Sequence, residues 1–186
     1  VLKHINLIIE PGEVVAFVGL TGAGKTSLAS LVQRFYDVNE GQVLIDGVDV
    51  RDVSRQSLAS QMSMVLQEPF LYSESVRANI RFNHAYVTDE QIEAAATAVG
   101  AHDFIMRMPQ GYDSELEQRG ANLSMGQRAL VSMARAIVSD PRILMLDEAT
   151  ANMDSDTEHR LQEALRVVLK GRTSLLIAHR LSTITG

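Results

Sequence analysis

Short apolar runs alternate along this chain with segments whose apolar residues recur every three or four positions. The runs cover residues 5–9, 14–18, 62–66, 143–146 and 173–178, and each has the length of a buried strand. Apolar residues with helical spacing follow the run at 14–18 and occupy residues 75–107. Two further segments with this spacing stand before and after the run at 143–146. Strands that alternate with helices predict an α/β fold with a mostly parallel sheet covered on both faces.

Two smaller features interrupt this alternation. Residues 43–45 and 48–50 flank Asp46-Gly47, a pair that predicts a tight hairpin and therefore a small antiparallel β element. Thr88 and Gln91 stand at the two positions of a capping box, which indicates a helix start. We expect residues 1–66 and 121–186 to form the core with the β element, and about residues 67–120 to form an inserted helical subdomain.

A glycine-rich loop stands between the run at 14–18 and the first helical segment. Residues 19–26 read GLTGAGKT, in which the glycines let backbone N–H groups turn toward an anion at the positive end of a helix. Lys25 adds a mobile charge for outer phosphates, Thr26 offers a hydroxyl to Mg²⁺, and Ser27 can reach an inner phosphate. By itself the stretch is a glycine turn before a helix, but its flanking strand and helix favour phosphate binding. The expected binding residues are Gly19, Leu20, Thr21, Gly22, Ala23, Gly24, Lys25, Thr26 and Ser27.

Two adjacent acids close the run at 143–146. Residues 143–148 read ILMLDE, which places Asp147 and Glu148 at the end of a buried strand, where open α/β sheets bind ligands. One carboxylate there can hold the shell of a Mg²⁺ ion while its neighbour orients or deprotonates an attacking water. The alternative is that two acids merely end a strand or start a helix.

A third stretch, residues 123–128, reads LSMGQR. Ser124 and Gln127 fit a capping box, so the stretch is at least a well-capped helix start. A capped helix start is also an anion site, at which Ser124 can offer its hydroxyl to a γ-phosphate while Gly126 permits close approach.

In this order the three stretches resemble the ATP-binding cassette (ABC) family, the ATPase motor of membrane transporters. The resemblance spans nearly the whole chain and implies a P-loop NTPase core that uses ATP and Mg²⁺. It gives Asp147 the metal role and Glu148 the role of base. It also implies that Ser124, Gly126 and Gln127 bind ATP held by a second nucleotide-binding domain, so that two domains, alike or different, sandwich two nucleotides head to tail.

The resemblance implies roles for three further residues. Gln67 follows a strand and so matches the family's Q-loop glutamine, a residue that touches Mg²⁺ or the attacking water. His179 follows the run at 173–178 and so matches the family's switch histidine. Asp154 matches the acid of the D-loop, although Ala151, Asn152 and Met153 replace its usual Ser-Ala-Leu. Each has a plainer alternative, since loop glutamines and histidines are often only solvated and Asp154 also suits a helix N-cap.

Two stretches favour an exporter over an importer. Residues 114–120, SELEQRG, resemble the exporter stretch TEVGERG, and residues 67–80 resemble the exporter pattern around a loop that meets the membrane domain. The implied partner is a transmembrane domain, fused in the full chain, which would place this ATPase at the cytoplasmic face of a membrane, the cell inner membrane. The alternative is a soluble ABC-type ATPase of DNA repair or translation, although no coiled-coil or zinc insertion is evident.

The amino-acid composition limits the partners and the kinds of structure that we expect for this chain. With 17 basic and 23 acidic residues the net charge of the 186-residue chain is −6, so nucleic acid is not an expected partner. The absence of cysteine excludes disulfides, and no apolar run is long enough to cross a bilayer. Because the chain starts at Val1 inside an expected strand and stops at Gly186, we expect a single domain truncated at both ends.

Met125 departs from the family pattern, because it occupies the place of a glycine in the family's LSGGQ. Its side chain could crowd the γ-phosphate of the partner's nucleotide, or glycine could be needed there for a backbone angle. We therefore hypothesise a weakened composite site, as in one half of an asymmetric heterodimer. The alternative is that Met125 points harmlessly away.

Overall fold

A computed structural model describes residues 2–20, 22–147 and 155–178 of the chain. The strands are β1 (Val14–Val18), β2 (Leu44–Ile45), β3 (Val48–Asp49), β4 (Met62–Val65), β5 (Ile143–Asp147) and β6 (Thr173–Ala178). The helices are α1 (Lys25–Val32), α2 (Arg55–Gln61), α3 (Val76–Arg81), α4 (Asp89–Ala98), α5 (His102–Met106), α6 (Met125–Ile137) and α7 (Ser155–Leu169). Short 3-10 turns lie at Val50–Asp52, Gly111–Asp113 and Gln118–Gly120. The α/β fold predicted from the sequence is confirmed.

The main sheet is parallel, with its strands in the order β1, β6, β5, β4. Side chains alternate across it, so Leu144 and Leu146 contribute to the larger core on one face while Met145 contributes to the smaller core on the other. The larger core continues through α3 to α7, and the smaller core includes Ala29 of α1. Both faces of the sheet are therefore covered, which is why its strands are continuously apolar.

The predicted hairpin is confirmed, since β2 and β3 pair antiparallel. Asp46 and Gly47 take positive φ values of 50° and 78°, as a two-residue turn of this kind requires. The prediction of a strand at residues 5–9 is wrong, because these residues lie in no regular element and pair with none of the described strands. Ile8 is 84% exposed there, so its apolar character reflects no packing within the described chain.

The helical character predicted for residues 75–107 is resolved into three short helices. α3 ends at Arg81, because Phe82, with a φ of 45°, leaves the helical region, and α4 starts at the predicted capping box of Thr88 and Gln91. Gly100, with φ of 73°, separates α4 from α5. None of the described helices is both long and apolar enough to cross a bilayer.

Candidate functional site

The predicted phosphate loop and two other predicted site residues lie along one edge of the main sheet. The register pairs Val18 of β1 with Ala178 of β6, and Asp147 of β5 with Ile177. Val65 of β4 pairs with Leu146, so Gln67 follows close to the end of the neighbouring strand. Because all four strands are parallel, their carboxyl ends share this edge, where open α/β sheets bind ligands.

The backbone of the glycine-rich loop adopts conformations that favour glycine. Gly22 has a φ of 85°, and Gly24, the residue before α1, has a φ of 92°. Gly24 carries no side chain that could cap α1, so the first N–H groups of the helix remain directed toward the loop. The ammonium of Lys25 lies across the loop, donating to the carbonyl oxygens of Gly19 at 2.7 Å and Leu20 at 3.0 Å.

This loop fits the phosphates of a nucleotide. Its glycines expose N–H groups, its lysine contributes positive charge, and Thr26 and Ser27 are exposed at the start of α1. No group of three or more metal-binding side chains exists among the described residues. Proteins hold Mg²⁺ through one or two oxygen ligands together with substrate phosphates and water, and the Thr26 hydroxyl and the Asp147 carboxylate are oxygen ligands of that kind.

Asp147 is half-buried as the last residue of β5, and Gln67 is exposed in the loop beyond β4. The structure therefore brings Gln67 and Asp147 to the same edge as the described loop residues. The remaining predicted residues at this edge, Thr21, Glu148 and His179, lie outside the described residues, as does Asp154.

Ser124, Gly126 and Gln127 are positioned by the start of α6, which adjoins α5 and α7. The predicted capping box is present: Gln127 N–H donates to Ser124 Oγ at 3.2 Å, and Ser124 N–H donates to Gln127 Oε1 at 2.9 Å. Met125 is the first residue of α6 and is 49% exposed, with a helical backbone. Glycine is therefore not required at position 125 for a special backbone angle. Of the two reasons for a weakened site, only crowding of the partner's nucleotide by the Met125 side chain remains.

A cavity of about 480 Å³ lies beside this helix start. Its polar lining consists of Asp103, Arg107, Ser124, Gln127, Thr157 and Arg160. The start of α7 adjoins the start of α6 here, so the N-terminal ends of two helices line the cavity together with Arg107, Arg160 and Asp103. None of the described residues of the glycine-rich loop lines this cavity, so the two candidate phosphate-binding surfaces are separate within the described part of the chain.

The segment before α6 is fixed to that helix by Arg128. Its Nη1 donates to the carbonyl oxygen of Leu123 at 2.8 Å, and its aliphatic carbons lie 3.2 Å and 3.3 Å from where a Cβ on Gly120 would stand. Gly120 also has a φ of 69°. A side chain at position 120 would therefore be both strained and crowded, which explains the glycine at the end of SELEQRG.

A buried polar network on α6 was not singled out from the sequence. Arg135 donates from Nε to the carbonyl oxygen of Asn79 and from Nη1 to that of Phe70, each at 2.7 Å, and its guanidinium lies over the rings of Tyr72 and Phe82. Burial lowers the pKa of Arg135 to about 10, so it stays charged at neutral pH. A charged residue within an otherwise apolar stretch of α6 is the signal that could have identified it.

Comparison with known proteins agrees with this architecture. The family described as ABC transporter matches residues 2–151. An uncharacterized ABC transporter ATP-binding protein of Bacillus subtilis is 49% identical over 98% of this chain and 30% of its own length. A putative multidrug export ATP-binding/permease protein of Staphylococcus aureus is 51% identical over 100% of this chain and 32% of its own length. A solved bacterial Atm1-family ABC exporter with ATP bound superposes with a TM-score of 0.85 and 42% identity, covering 95% of this chain and 31% of that one.

The chain belongs to the ABC transporter family. It is an ATP-binding domain of that family, whose ATP-binding domains hydrolyse ATP to power transport. It spans about a third of the length of the curated relatives it matches. The resemblance to this family and the P-loop fold expected from the sequence are therefore confirmed.

Proposed function

We propose that this chain is the motor domain of an ABC exporter, in which ATP hydrolysis by two such domains drives a substrate across a membrane. The transmembrane partner is fused to it in the full chain, and the domain lies at the cytoplasmic face of the cell inner membrane. The observation that carries the proposal is that relatives about half identical over the whole chain are named as ATP-binding/permease proteins. These relatives are about three times as long as this chain, which leaves room for a permease.

Within each motor domain the sheet edge binds ATP and Mg²⁺. The glycine-rich loop surrounds the phosphates, Lys25 neutralises the outer ones, and Ser27 contacts an inner one. Thr26, Gln67 and Asp147 hold the metal shell. When bound, the metal would neutralise negative charge on the phosphates. Gln67 orients the attacking water and Glu148 takes its proton, while His179 donates a hydrogen bond to the γ-phosphate.

The surface at the start of α6 completes the site of a second subunit, in a homodimer or a heterodimer. Ser124, Gly126, Gln127 and Asp154 contribute to the nucleotide bound by that subunit, and the separation of the two candidate phosphate-binding surfaces supports a head-to-tail pair. Roughly residues 67–120 act as the helical subdomain and residues 1–66 and 121–186 as the core. Residues 67–80 face the transmembrane domain, and Mg²⁺-ATP is the cofactor of both sites.

The competing function is that of a soluble ABC-type ATPase in DNA repair or translation. No particular observation favours it, and the net charge of −6 gives no support to nucleic-acid binding. The transport function is therefore the one we propose.

The experiment uses the full-length protein in inverted membrane vesicles of the producing cells. We expect ATP-dependent uptake of a fluorescent hydrophobic cation together with ATP hydrolysis, and loss of both in Glu148→Gln. Glu158→Gln is the matched control, since Glu158 is an exposed acid on α7 outside the proposed site. ATPase activity that fractionates with soluble protein and not with membranes would contradict the proposal and support the alternative.

A further inference from the structure

Gly126, the second residue of α6, is pressed against the first turn of α7. A Cβ at position 126 would stand 2.5 Å from Cγ2 of Thr157, but 3.8 Å from its Cβ and 3.9 Å from its Oγ1. Since carbon atoms in contact are normally about 3.5–4.0 Å apart, a side chain at position 126 would require the Thr157 methyl group to move.

Glycine is not required at position 126 by the backbone conformation. Gly126 lies within α6 and has no positive φ, unlike Gly22 and Gly24. Glycine inside a helix is unfavourable compared with alanine, so its presence here needs a packing reason. The close approach of Thr157 supplies that reason from within the domain.

We propose that Thr157 is a positioning residue for Ser124. Its methyl group packs against the backbone of Gly126 and so determines the distance between α7 and the first turn of α6. That spacing sets where the Ser124 hydroxyl, held by its capping box with Gln127, meets the nucleotide of the second subunit. The inference rests on the proposed function, in which Ser124 contacts that nucleotide.

An alternative explanation of Gly126 makes a different prediction. If glycine is needed only because the partner's γ-phosphate approaches this residue, any Cβ at position 126 will impair hydrolysis whatever residue stands at position 157. If Thr157 is the reason, removing its methyl group will make alanine acceptable, since the atoms that remain would lie 3.8 Å and 3.9 Å from the new Cβ.

The test is a double-mutant cycle in the full-length transporter, with Gly126→Ala, Thr157→Ser and both together. Serine retains the hydroxyl of Thr157 and removes only the methyl group. Each form is assayed for kcat and KM of ATP hydrolysis and for thermal unfolding. We expect Gly126→Ala to lower kcat about tenfold or more with KM changed less than about threefold, because the lost contact belongs to the hydrolytic assembly and not to the domain's own phosphate loop.

Thr157→Ser and the double variant together decide the outcome. Thr157→Ser alone should lower kcat, though less than Gly126→Ala does, because the methyl group that sets the spacing is gone. Recovery of kcat in the double variant to within about threefold of Thr157→Ser alone then supports the inference, since the two changes are coupled through that methyl group. Unchanged kcat in Thr157→Ser overturns the positioning role. A double variant as slow as Gly126→Ala alone overturns it. If Gly126→Ala does not yield folded protein, restoration of folding and hydrolysis by Thr157→Ser supports the inference, and failure to restore them overturns it.

Failure of the proposed function has a separate signature. It would be seen as absence of membrane-associated ATP hydrolysis in the unchanged protein. Failure of the positioning role leaves that hydrolysis intact and is seen only in Thr157→Ser or in the unrescued double variant.

Discussion

Arg135 on α6 donates from Nη2 to Oδ1 of Asn79 on α3 at 2.7 Å. Asn79 is only 1% exposed, and its Oδ1 also accepts from the N–H of Tyr72 at 2.9 Å. The pair therefore connects the helix that Ser124 caps with the segment that follows Gln67. Such a buried, hydrogen-bonded charge stabilises the fold only while its partners remain in place.

Replacement of Arg135 by alanine is expected to lower the free energy of unfolding by about 2–4 kcal/mol, because Asn79 and the carbonyl oxygens of Asn79 and Phe70 lose their donor. Urea unfolding of the purified protein measures the change. Arg166→Ala is the matched control, since Arg166 is an exposed arginine on α7, and its effect should stay within about 0.5 kcal/mol. Equal effects of the two changes would contradict the structural role of Arg135.

Replacement of Lys25 by alanine is expected to weaken ATP binding at least about tenfold, because the ammonium that spans the loop is the charge available there to the outer phosphates. Equilibrium dialysis with ATP measures the affinity. Lys170→Ala, at an exposed lysine after α7, controls for loss of net charge. Unchanged affinity in Lys25→Ala would show that phosphate binding does not depend on this residue.

Replacement of Met125 by glycine or by alanine tests the hypothesis of a weakened composite site. We expect ATP turnover in the full assembly to rise about two- to fivefold in both variants, because an exposed side chain next to Ser124 no longer crowds the partner's nucleotide. Alanine keeps the helix start favourable, whereas glycine costs about 0.8–1 kcal/mol relative to it, so comparison of the two separates crowding from helix stability. Unchanged turnover in both would mean that Met125 points away from the nucleotide.

Stability at alkaline pH is expected to depend on Tyr112. Burial raises the pKa of Tyr112 to about 12, while an unfolded tyrosine ionises near pH 10. Between those values the unfolded chain releases a proton that the folded chain keeps, so the stabilisation present below pH 10 is lost as pH rises toward 12.

Tyr112→Phe should therefore show a shallower loss of unfolding free energy across that range, measured by urea unfolding at a series of pH values. Tyr36→Phe is the matched control, because Tyr36 is 71% exposed. An equally steep loss in Tyr112→Phe and in the unchanged protein would rule out this source of alkaline instability.

Features that depend on neighbours in sequence were predicted well. The capping boxes of Thr88 with Gln91 and of Ser124 with Gln127 each join residues three positions apart, and the turn at Asp46-Gly47 needs only its own dihedral angles. The strand Thr173–Ala178 was predicted with its observed bounds. In contrast, residues 5–9 have the apolar pattern of a strand but no strand beside them in the described sheet, and pattern alone does not provide a partner.

The sequence identified a candidate site for ATP binding and hydrolysis. The roles that it assigns to Lys25, Gln67, Asp147 and Ser124 stay predictions. It did not identify Arg135, whose partners on Phe70 and Asn79 lie 65 and 56 residues away. It also ascribed Gly126 to the approach of a phosphate, whereas the fold supplies Thr157 as a neighbour within the chain. A charge in an apolar stretch singles out Arg135, but the partners of Arg135 and of Gly126 have no local signal, because they lie in segments distant in the sequence.

The sequence by itself thus determined the four strands of the main sheet, the tight turn at Asp46-Gly47 and the capped start of α6, since these follow from local apolar patterns, dihedral preferences and hydrogen bonds within a few residues. The tertiary structure decided that β6 lies between β1 and β5, that Asp147 and the loop share one edge, and that α7 rests on Gly126. Those outcomes depend on which apolar faces pack together across the whole chain. That choice is made by the collective burial of many side chains and is not encoded in any single stretch.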